Sequence, residues 1–197
     1  MENSNAKFSD LDERGDIKIT TKNNFIIFSN KFYKNKIIDI EKKWYFDIQK
    51  KFLYLHNKIK TSDVNFLSIR SNYFNLNHNT FDINSLKITT KNGSSYRETF
   101  NLKKNESFFH DESLSPKFTA QNCLGNTDGN INFDDGKNEI NFKIFNEVGV
   151  SAPMLCFQND HKNSYFLRLL TSFKENNDIR CESKNKIFEN LICIKLN

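Results

Sequence analysis

The sequence predicts an α+β fold in which one long N-terminal amphipathic helix packs on an antiparallel β-sheet or β-sandwich. Three observations lead to this prediction. Apolar residues recur at steps of three and four between Ile37 and Ile59, which is the period of one helix face. After Lys60, short runs of Ile, Phe, Thr and Tyr alternate with Asn, Asp, Ser and Gly, as in strands separated by turns. All four cysteines follow residue 120, in this second part.

The start of the chain is expected to be polar and flexible over residues 1–15, followed by a single domain over residues 16–197. Ile17 and Ile19 alternate with polar residues, and Phe25–Phe28 is continuously apolar. Two short strands, or one strand and a helix lead-in, fit this segment.

The helix is predicted over about residues 30–60, with Ser29 or Asn30 as its N-cap and Asp39 as the cap of a shorter alternative. A lone helix of this length is marginally stable in water, so we expect its apolar stripe to be buried against the sheet. The two stripe residues Trp44 and Ile48 should then be among the most buried side chains. The stripe comprises Ile37, Ile40, Trp44, Ile48, Phe52, Leu55 and Ile59.

The other face of the predicted helix is basic, since the segment from Lys36 to Lys60 contains seven lysines and only three acidic residues. The net charge of the whole chain is +5. A basic face attracts nucleic acid, acidic lipid or an acidic partner, and the plain alternative is a solvated surface. The candidate binding residues are lysines, with two tyrosines that can stack on bases: Lys42, Lys43, Lys50, Lys51, Lys58, Tyr45 and Tyr54.

The remainder, about residues 61–197, is predicted to be a β-rich head of eight to ten strands. Its best hairpin signal is Leu86–Thr90, the pair Asn92-Gly93, and Tyr96–Leu102, because Asn-Gly tolerates the positive φ of a type I′ turn. The other strand candidates are Val64–Ile69, Tyr73–Leu76, Phe81–Ile83, Ile131–Phe133, Ile140–Phe145, Met154–Phe157, Tyr165–Leu170 and Leu191–Leu196.

The cysteines are candidates for two disulfides. Cys123–Cys156 together with Cys181–Cys193 is the favoured pairing, because each bridge closes a modest local loop. Four unpaired thiols of a cytosolic protein are the alternative. No Cys-x-x-Cys spacing is present, so neither a redox motif nor a zinc site is indicated.

No metal and no cofactor are expected. Residues 126–136 carry the oxygen ligands that Ca²⁺ prefers, but Phe133 stands where a calcium loop starting at Asp128 needs glycine. Turns between two strands are therefore the better interpretation.

The chain shows no signal peptide and no apolar run long enough to span a bilayer. We expect a periplasmic or extracellular location if an anchor has been removed, and a cytoplasmic one otherwise.

The stretches Ile140–Phe157, Tyr165–Ser172 and Asp178–Cys181 show a strand, a turn glycine, a second strand ending near a cysteine, and a closing strand pair. This order is similar to the globular head of bacterial type IV pilin-like proteins, namely minor pilins and the pseudopilins of type II secretion. The helix at about 30–60 then looks like the exposed half of the pilin helix. The chain departs from that family in residues 1–28, which are polar and strand-like instead of a transmembrane half-helix.

The resemblance implies a non-enzymatic subunit of a pilus, secretion or DNA-uptake apparatus that acts by assembly and surface binding. Its partners would be other subunits and DNA, with membrane contact only through an anchor that this chain lacks. A soluble module that binds nucleic acid or an acidic partner through the basic helix is the alternative function. A hydrolase whose residues converge only in the fold is a third hypothesis.

Overall fold

The computed structural model describes residues 15–34, 37–77, 79–103, 107–110, 119–120, 123–146, 152–160, 164–175 and 182–196. These residues form strands and turns, and none of them lies in a helix. The strands are β1 Asp16–Lys22, β2 Phe25–Lys34, β3 Ile38–Asp47, β4 Phe52–Thr61, β5 Ile69–Asn77, β6 Lys87–Thr90, β7 Glu98–Lys103, β8 Ser107–His110, β9 Thr119–Ala120, β10 Cys123–Gly125, β11 Asn130–Asp134, β12 Glu139–Asn146, β13 Met154–Asp160, β14 Ser164–Lys174 and β15 Ile187–Leu196.

The predicted α+β fold with a helix at about 30–60 is therefore wrong. That segment forms the antiparallel pair β3 and β4, joined by a tight turn. The Asp47 carboxylate accepts hydrogen bonds from the backbone N–H groups of Gln49 and Lys50, both at 3.1 Å, and Lys51 has a φ of 54°. An Asx turn followed by a left-handed residue reverses the chain here, so a helix cannot continue through it.

The apolar stripe has a helical spacing only because two alternating strands are joined by this turn. Leu55 lies on one face of β4 and Phe52 on the other, since their positions differ by three. Ile48 lies in the turn and is 55% exposed, and Trp44 is 42% exposed. The prediction that these two side chains are among the most buried is therefore also wrong.

The chain divides into two compact units, of which the first takes the described residues within 1–71, 144–151 and 172–195. It contains an antiparallel sheet in the order β1-β2-β3-β4-β15. One face of this sheet, here called the inner face, carries the core of the unit. The core cluster consists of Ile38, Ile40, Ile59, Phe66, Ile69, Phe173 and Phe188, each at most 4% exposed.

The second unit takes the described residues within 72–143, 152–171 and 196–197. Its strands follow the orders β12-β11-β6-β7-β8-β9 and β10-β13-β14-β5. Phenylalanine rings build its core: Phe133 stacks on Phe81 at 6.0 Å and meets Phe142 edge-on at 5.8 Å, and Phe142 meets Phe74 at 5.2 Å. Because Phe74 and Phe142 belong to different sheets, the two sheets of this unit face each other across the ring cluster.

The predicted hairpin is confirmed as β6 and β7, with Ile88 opposite Phe100. The turn is longer than a two-residue type I′ turn, since Thr90 is opposite Glu98, and Gly93 takes a φ of 78° within it. The described part of the chain contains no helical segment that meets the length and hydropathy needed to cross a bilayer.

Candidate functional site

The candidate site lies on the outer face of the first-unit sheet, opposite the core. Strand register sets a row of side chains there: Ile27 on β2 is opposite Tyr45 on β3, Tyr45 is opposite Tyr54 on β4, and Tyr54 is opposite Cys193 on β15. Because side chains of paired residues share a face, these four side chains are neighbours across the sheet. The row continues over four strands, of which β2, β3 and β4 follow one another in the chain and β15 is distant in sequence.

A groove of about 480 Å³ follows this row. Its aromatic and aliphatic side chains are half-buried, and its polar ones come from the end of β1 and the turn that follows it. We call it the tyrosine groove. It is lined by Lys22, Asn23, Phe25, Ile27, Tyr45, Tyr54 and Leu191.

Tyr54 forms one wall of the groove. Its ring stacks on Phe52 with centroids 5.7 Å apart and an interplanar angle of 15°. Burial raises the pKa of the Tyr54 phenol, and the neighbouring Cys193 and Asp47 raise it further. The hydroxyl therefore keeps its proton at neutral pH and remains available as a hydrogen-bond donor.

Polar and charged side chains border the aromatic row on the same face. Two positions beyond Tyr54 and Tyr45 along their strands, His56 and Lys43 are opposite each other. His56 Nε2 lies 2.5 Å from Glu189 Oε1 on β15, and Lys58 Nζ lies 3.7 Å from Glu189 Oε2. Both contacts tie Glu189 to β4 beside the groove.

Lys43 Nζ lies 3.0 Å from Glu41 Oε1 on its own strand. This hydrogen bond lowers the pKa of Glu41 and raises the pKa of Lys43. Register then places Glu41, Lys58 and Glu189 side by side on β3, β4 and β15. Fixed charges of alternating sign thus run parallel to the aromatic row.

The binding candidates predicted from the sequence do not share one surface. Lys43, Lys58, Tyr45 and Tyr54 lie on the outer face. Lys42 lies on the inner face opposite Asn57, because it is one residue from Lys43 along a strand. Lys50 and Lys51 lie in the turn after β3. The predicted basic helix face is therefore wrong.

The structure brings one predicted cysteine pair together. Cys123 and Cys156 are opposite each other on β10 and β13, with their Sγ atoms 3.1 Å apart. Cys193 is half-buried beside Tyr54, and Cys181 lies outside the described residues. The Cys181–Cys193 pairing stays a prediction.

Sequence reasoning missed the groove residues Phe25, Ile27 and Leu191, and also His56 and Glu189, which lie beside the groove. The alternation of β4 could have identified its outward positions, whereas the continuously apolar Phe25–Phe28 of β2 does not distinguish the two faces. The pairing of β4 with β15 has no local sequence signal, because it joins residues more than 120 positions apart.

The calcium-like loop is used for turns. The Asp128 and Asp134 carboxylates accept the backbone N–H groups of Asn130 and Gly136, at 2.9 and 2.7 Å. Within the described ranges, no group of three or more His, Cys, Asp and Glu side chains is arranged to hold a metal ion.

No family model matches the chain, and no curated protein matches it. Among solved structures, similarity is found to a heparinase III gene product, with a TM-score of 0.40, 8% identity, and coverage of 93% of this chain and 21% of that chain. For the galactosidase domain of an α-galactosidase–sucrose kinase, the TM-score is 0.48 and the identity 7%, with coverage of 94% of this chain and 27% of that chain. For a galactose mutarotase related enzyme from Lactobacillus acidophilus, the TM-score is 0.44 and the identity 10%, with coverage of 92% of this chain and 71% of that chain.

This chain thus spans between a fifth and a third of the length of the first two structures. At these scores and identities the similarities do not assign an activity. The described residues contain no helix, whereas the pilin resemblance depends on a helix at about residues 30–60. The resemblance to type IV pilins and pseudopilins is therefore wrong, as are the pilus-subunit function and the helix-mounted nucleic-acid module derived from the sequence.

Proposed function

We propose that the protein is a carbohydrate-binding module whose binding surface is the tyrosine groove. The observation that carries the proposal is the pairing of Tyr45 with Tyr54 beside the His56–Glu189 contact. Sugar rings have an apolar face of C–H bonds and a rim of hydroxyl groups. A ligand of this kind needs flat aromatic surface and fixed polar groups next to each other.

The aromatic part of the groove supplies the flat surface. Apolar area exposed to water is costly. A row of half-buried aromatic rings on an open sheet face therefore indicates a binding surface. Tyrosine suits this role, since it combines a large apolar ring with a hydroxyl that forms hydrogen bonds. The groove volume also falls within the usual range for small-ligand sites.

The charged row supplies the polar groups. Glu189 is held by His56 and Lys58, and Glu41 is held by Lys43, so the carboxylate and amine positions are set before a ligand arrives. Preorganised polar groups lose less conformational entropy on binding. Carboxylates accept hydrogen bonds from sugar hydroxyls, and the lysines donate to them. The site is open along the sheet, which suits a chain of sugars bound without catalysis.

The proposal is tested by affinity electrophoresis of the protein in gels that contain neutral or anionic polysaccharides, followed by calorimetry with an oligosaccharide of the retarding polymer. We expect Tyr45→Ala and Tyr54→Ala each to weaken binding by about tenfold or more, because a stacking platform is removed. Tyr96→Ala, which truncates an exposed tyrosine of the second unit, is the matched control and should bind like the parent.

Circular dichroism and thermal melting of each variant separate a lost ligand contact from a lost fold. If no polysaccharide retards the parent protein, or if folded Tyr45→Ala and Tyr54→Ala both bind as tightly as the parent, the groove is not a carbohydrate site.

A further inference from the structure

A row of apolar side chains crosses the inner face of the first-unit sheet and reaches its open edge. Register places Ile19, Phe28, Trp44, Leu55 and Ile192 opposite one another from β1 to β15. Their exposed fractions are 63%, 40%, 42%, 1% and 0% in that order. The row is therefore buried at β15 and becomes exposed toward β1.

The strand at the end of this row is the edge of its sheet. None of the described strands pairs with the edge of β1 that points away from β2, and all seven residues of β1 are exposed. An edge strand presents unpaired backbone N–H and C=O groups to any strand that can align with it. Ile17 and Ile19, 68% and 63% exposed, both lie on the inner face of this edge.

We propose that β1 pairs antiparallel with β1 of a second copy of the chain, about a twofold axis that passes beside Ile19. In this register Asp16 of each copy is opposite Lys22 of the other, which gives two symmetric ion pairs. Ile19 is opposite its own counterpart, and Ile17 is opposite Thr21. Lys18 is opposite the uncharged Thr20.

The neighbouring registers are disfavoured by charge. Moving the twofold axis by one residue along β1 shifts the pairing of the two strands by two positions. Paired side chains of the two copies then still lie on matching faces. An axis beside Lys18 would place the two Lys18 side chains opposite each other. An axis beside Thr20 would place Lys18 opposite Lys22. Like charges directly opposite each other destabilise a strand pair, so the sequence of β1 is self-complementary about Ile19 alone among these three registers.

The pairing also extends the apolar row, because Ile19 of one copy would meet Ile19 of the other. Exposed Ile17 and Ile19 would then be partly covered on both copies. Two seven-residue strands form a small contact, so we expect a dimer with a dissociation constant of roughly micromolar order.

Sedimentation velocity over a concentration series tests the proposal. We expect the parent to shift from monomer to dimer, and Ile19→Asp to remain monomeric because it places two carboxylates opposite each other. Lys22→Asp should weaken dimerisation by about tenfold, since it turns two ion pairs into two repulsive pairs. Adding Asp16→Lys to Lys22→Asp should restore dimerisation. Lys22 is opposite the uncharged Phe25 on β2, so changing its charge breaks no charge pair within one chain. It is therefore the first residue to substitute.

Cross-linking fixes the register. Opposite residues of antiparallel strands have Cα atoms about 4.5–5.5 Å apart, within the range of a disulfide. Ile19→Cys should therefore give a covalent dimer on a non-reducing gel under mild oxidation. Lys18→Cys is the matched control and should give no more dimer than the parent, since the two positions would be about 7–8 Å apart on a diagonal.

A parent that stays monomeric at every concentration would overturn the proposal, and the edge would then be left for a strand of another protein. A dimer that Ile19→Asp leaves intact, or Lys18→Cys cross-links as strong as those of Ile19→Cys, would equally overturn it.

Discussion

Cys123 and Cys156 are directly opposite each other on two paired strands, β10 and β13, with their Sγ atoms 3.1 Å apart. Cys123 is exposed and Cys156 is half-buried, so an oxidant can reach the pair. The strand register already holds the two backbones together. Formation of a bond therefore needs only a small movement of the side chains.

We predict that mild oxidation links Cys123 to Cys156. Peptide mapping by mass spectrometry without reduction should recover this pair, and the oxidised protein should be more stable than the reduced one by about 2–4 kcal/mol, because the bridge restricts the unfolded chain. Cys123→Ser should show no gain in stability on oxidation. Recovery of Cys123 bonded mainly to another cysteine would contradict the prediction.

Leu55 and Trp44 are neighbours in one row but differ in burial, at 1% and 42% exposed. We expect Leu55→Ala to lower the free energy of unfolding by about 2–5 kcal/mol, since it leaves a cavity in packed surroundings. Trp44→Ala should cost only about 1 kcal/mol, because much of its ring is already in water. Urea denaturation of the two variants measures the difference, and equal losses would show that Trp44 is part of the core.

Asp135 holds the turn between β11 and β12. Its carboxylate accepts hydrogen bonds from the backbone N–H groups of Asn138 at 2.7 Å, Asp82 at 2.9 Å and Lys137 at 2.9 Å. The hydrogen bond from Asn138, followed by that from Asp82, lowers the pKa of Asp135 from 3.8 to about 2. A lowered pKa means that the folded state binds the proton more weakly than the unfolded state does.

Stability from Asp135 is therefore fully present above pH about 4 and is lost as pH falls toward about 2. The shift corresponds to about 2 kcal/mol. We expect Asp135→Asn to be less stable than the parent at neutral pH and to show a flatter loss of stability between these two pH values. Thermal unfolding at a series of pH values measures both effects, and parallel curves for the two proteins would rule out this role.

Asn190 is buried in the first unit and contacts three other polar side chains. Its Oδ1 accepts a hydrogen bond from Asn57 Nδ2 at 2.8 Å, and its own Nδ2 donates to Ser71 Oγ at 3.2 Å and to Asn146 Oδ1 at 3.3 Å. Asn190→Ala should lower the free energy of unfolding by about 1–3 kcal/mol, because buried partners lose a hydrogen bond without gaining water.

Chemical denaturation measures this loss, and Asn24→Ala at an exposed amide is the control, expected within about 0.5 kcal/mol of the parent. If the two variants unfold at the same denaturant concentration, the buried amide contacts do not contribute to stability.

Strand positions with local signals could be predicted from the sequence. Ile131–Phe133 and Ile140–Phe145 fall within β11 and β12, and the Leu86–Thr90 hairpin signal falls on β6 and β7. In each case alternation or a turn residue lies within a few positions of the strand that it specifies. The candidate site is predicted only in part: the sequence indicates Tyr45 and Tyr54 as residues that stack on bases, but it places them on a helix.

The sequence by itself determined the alternation of most strands, the Asn-Gly turn signal of the second unit and the set of cysteines. Tertiary structure alone decided whether Ile37–Ile59 forms a helix or two strands, since its apolar spacing fits both. The two strands form because their pairing buries apolar side chains together, with Ile40 opposite Ile59 and Leu55 opposite Ile192. Long-range pairing of β4 with β15 also placed Glu189 beside His56. Such contacts depend on which surfaces bury each other in the folded chain, and local propensity carries no record of that choice.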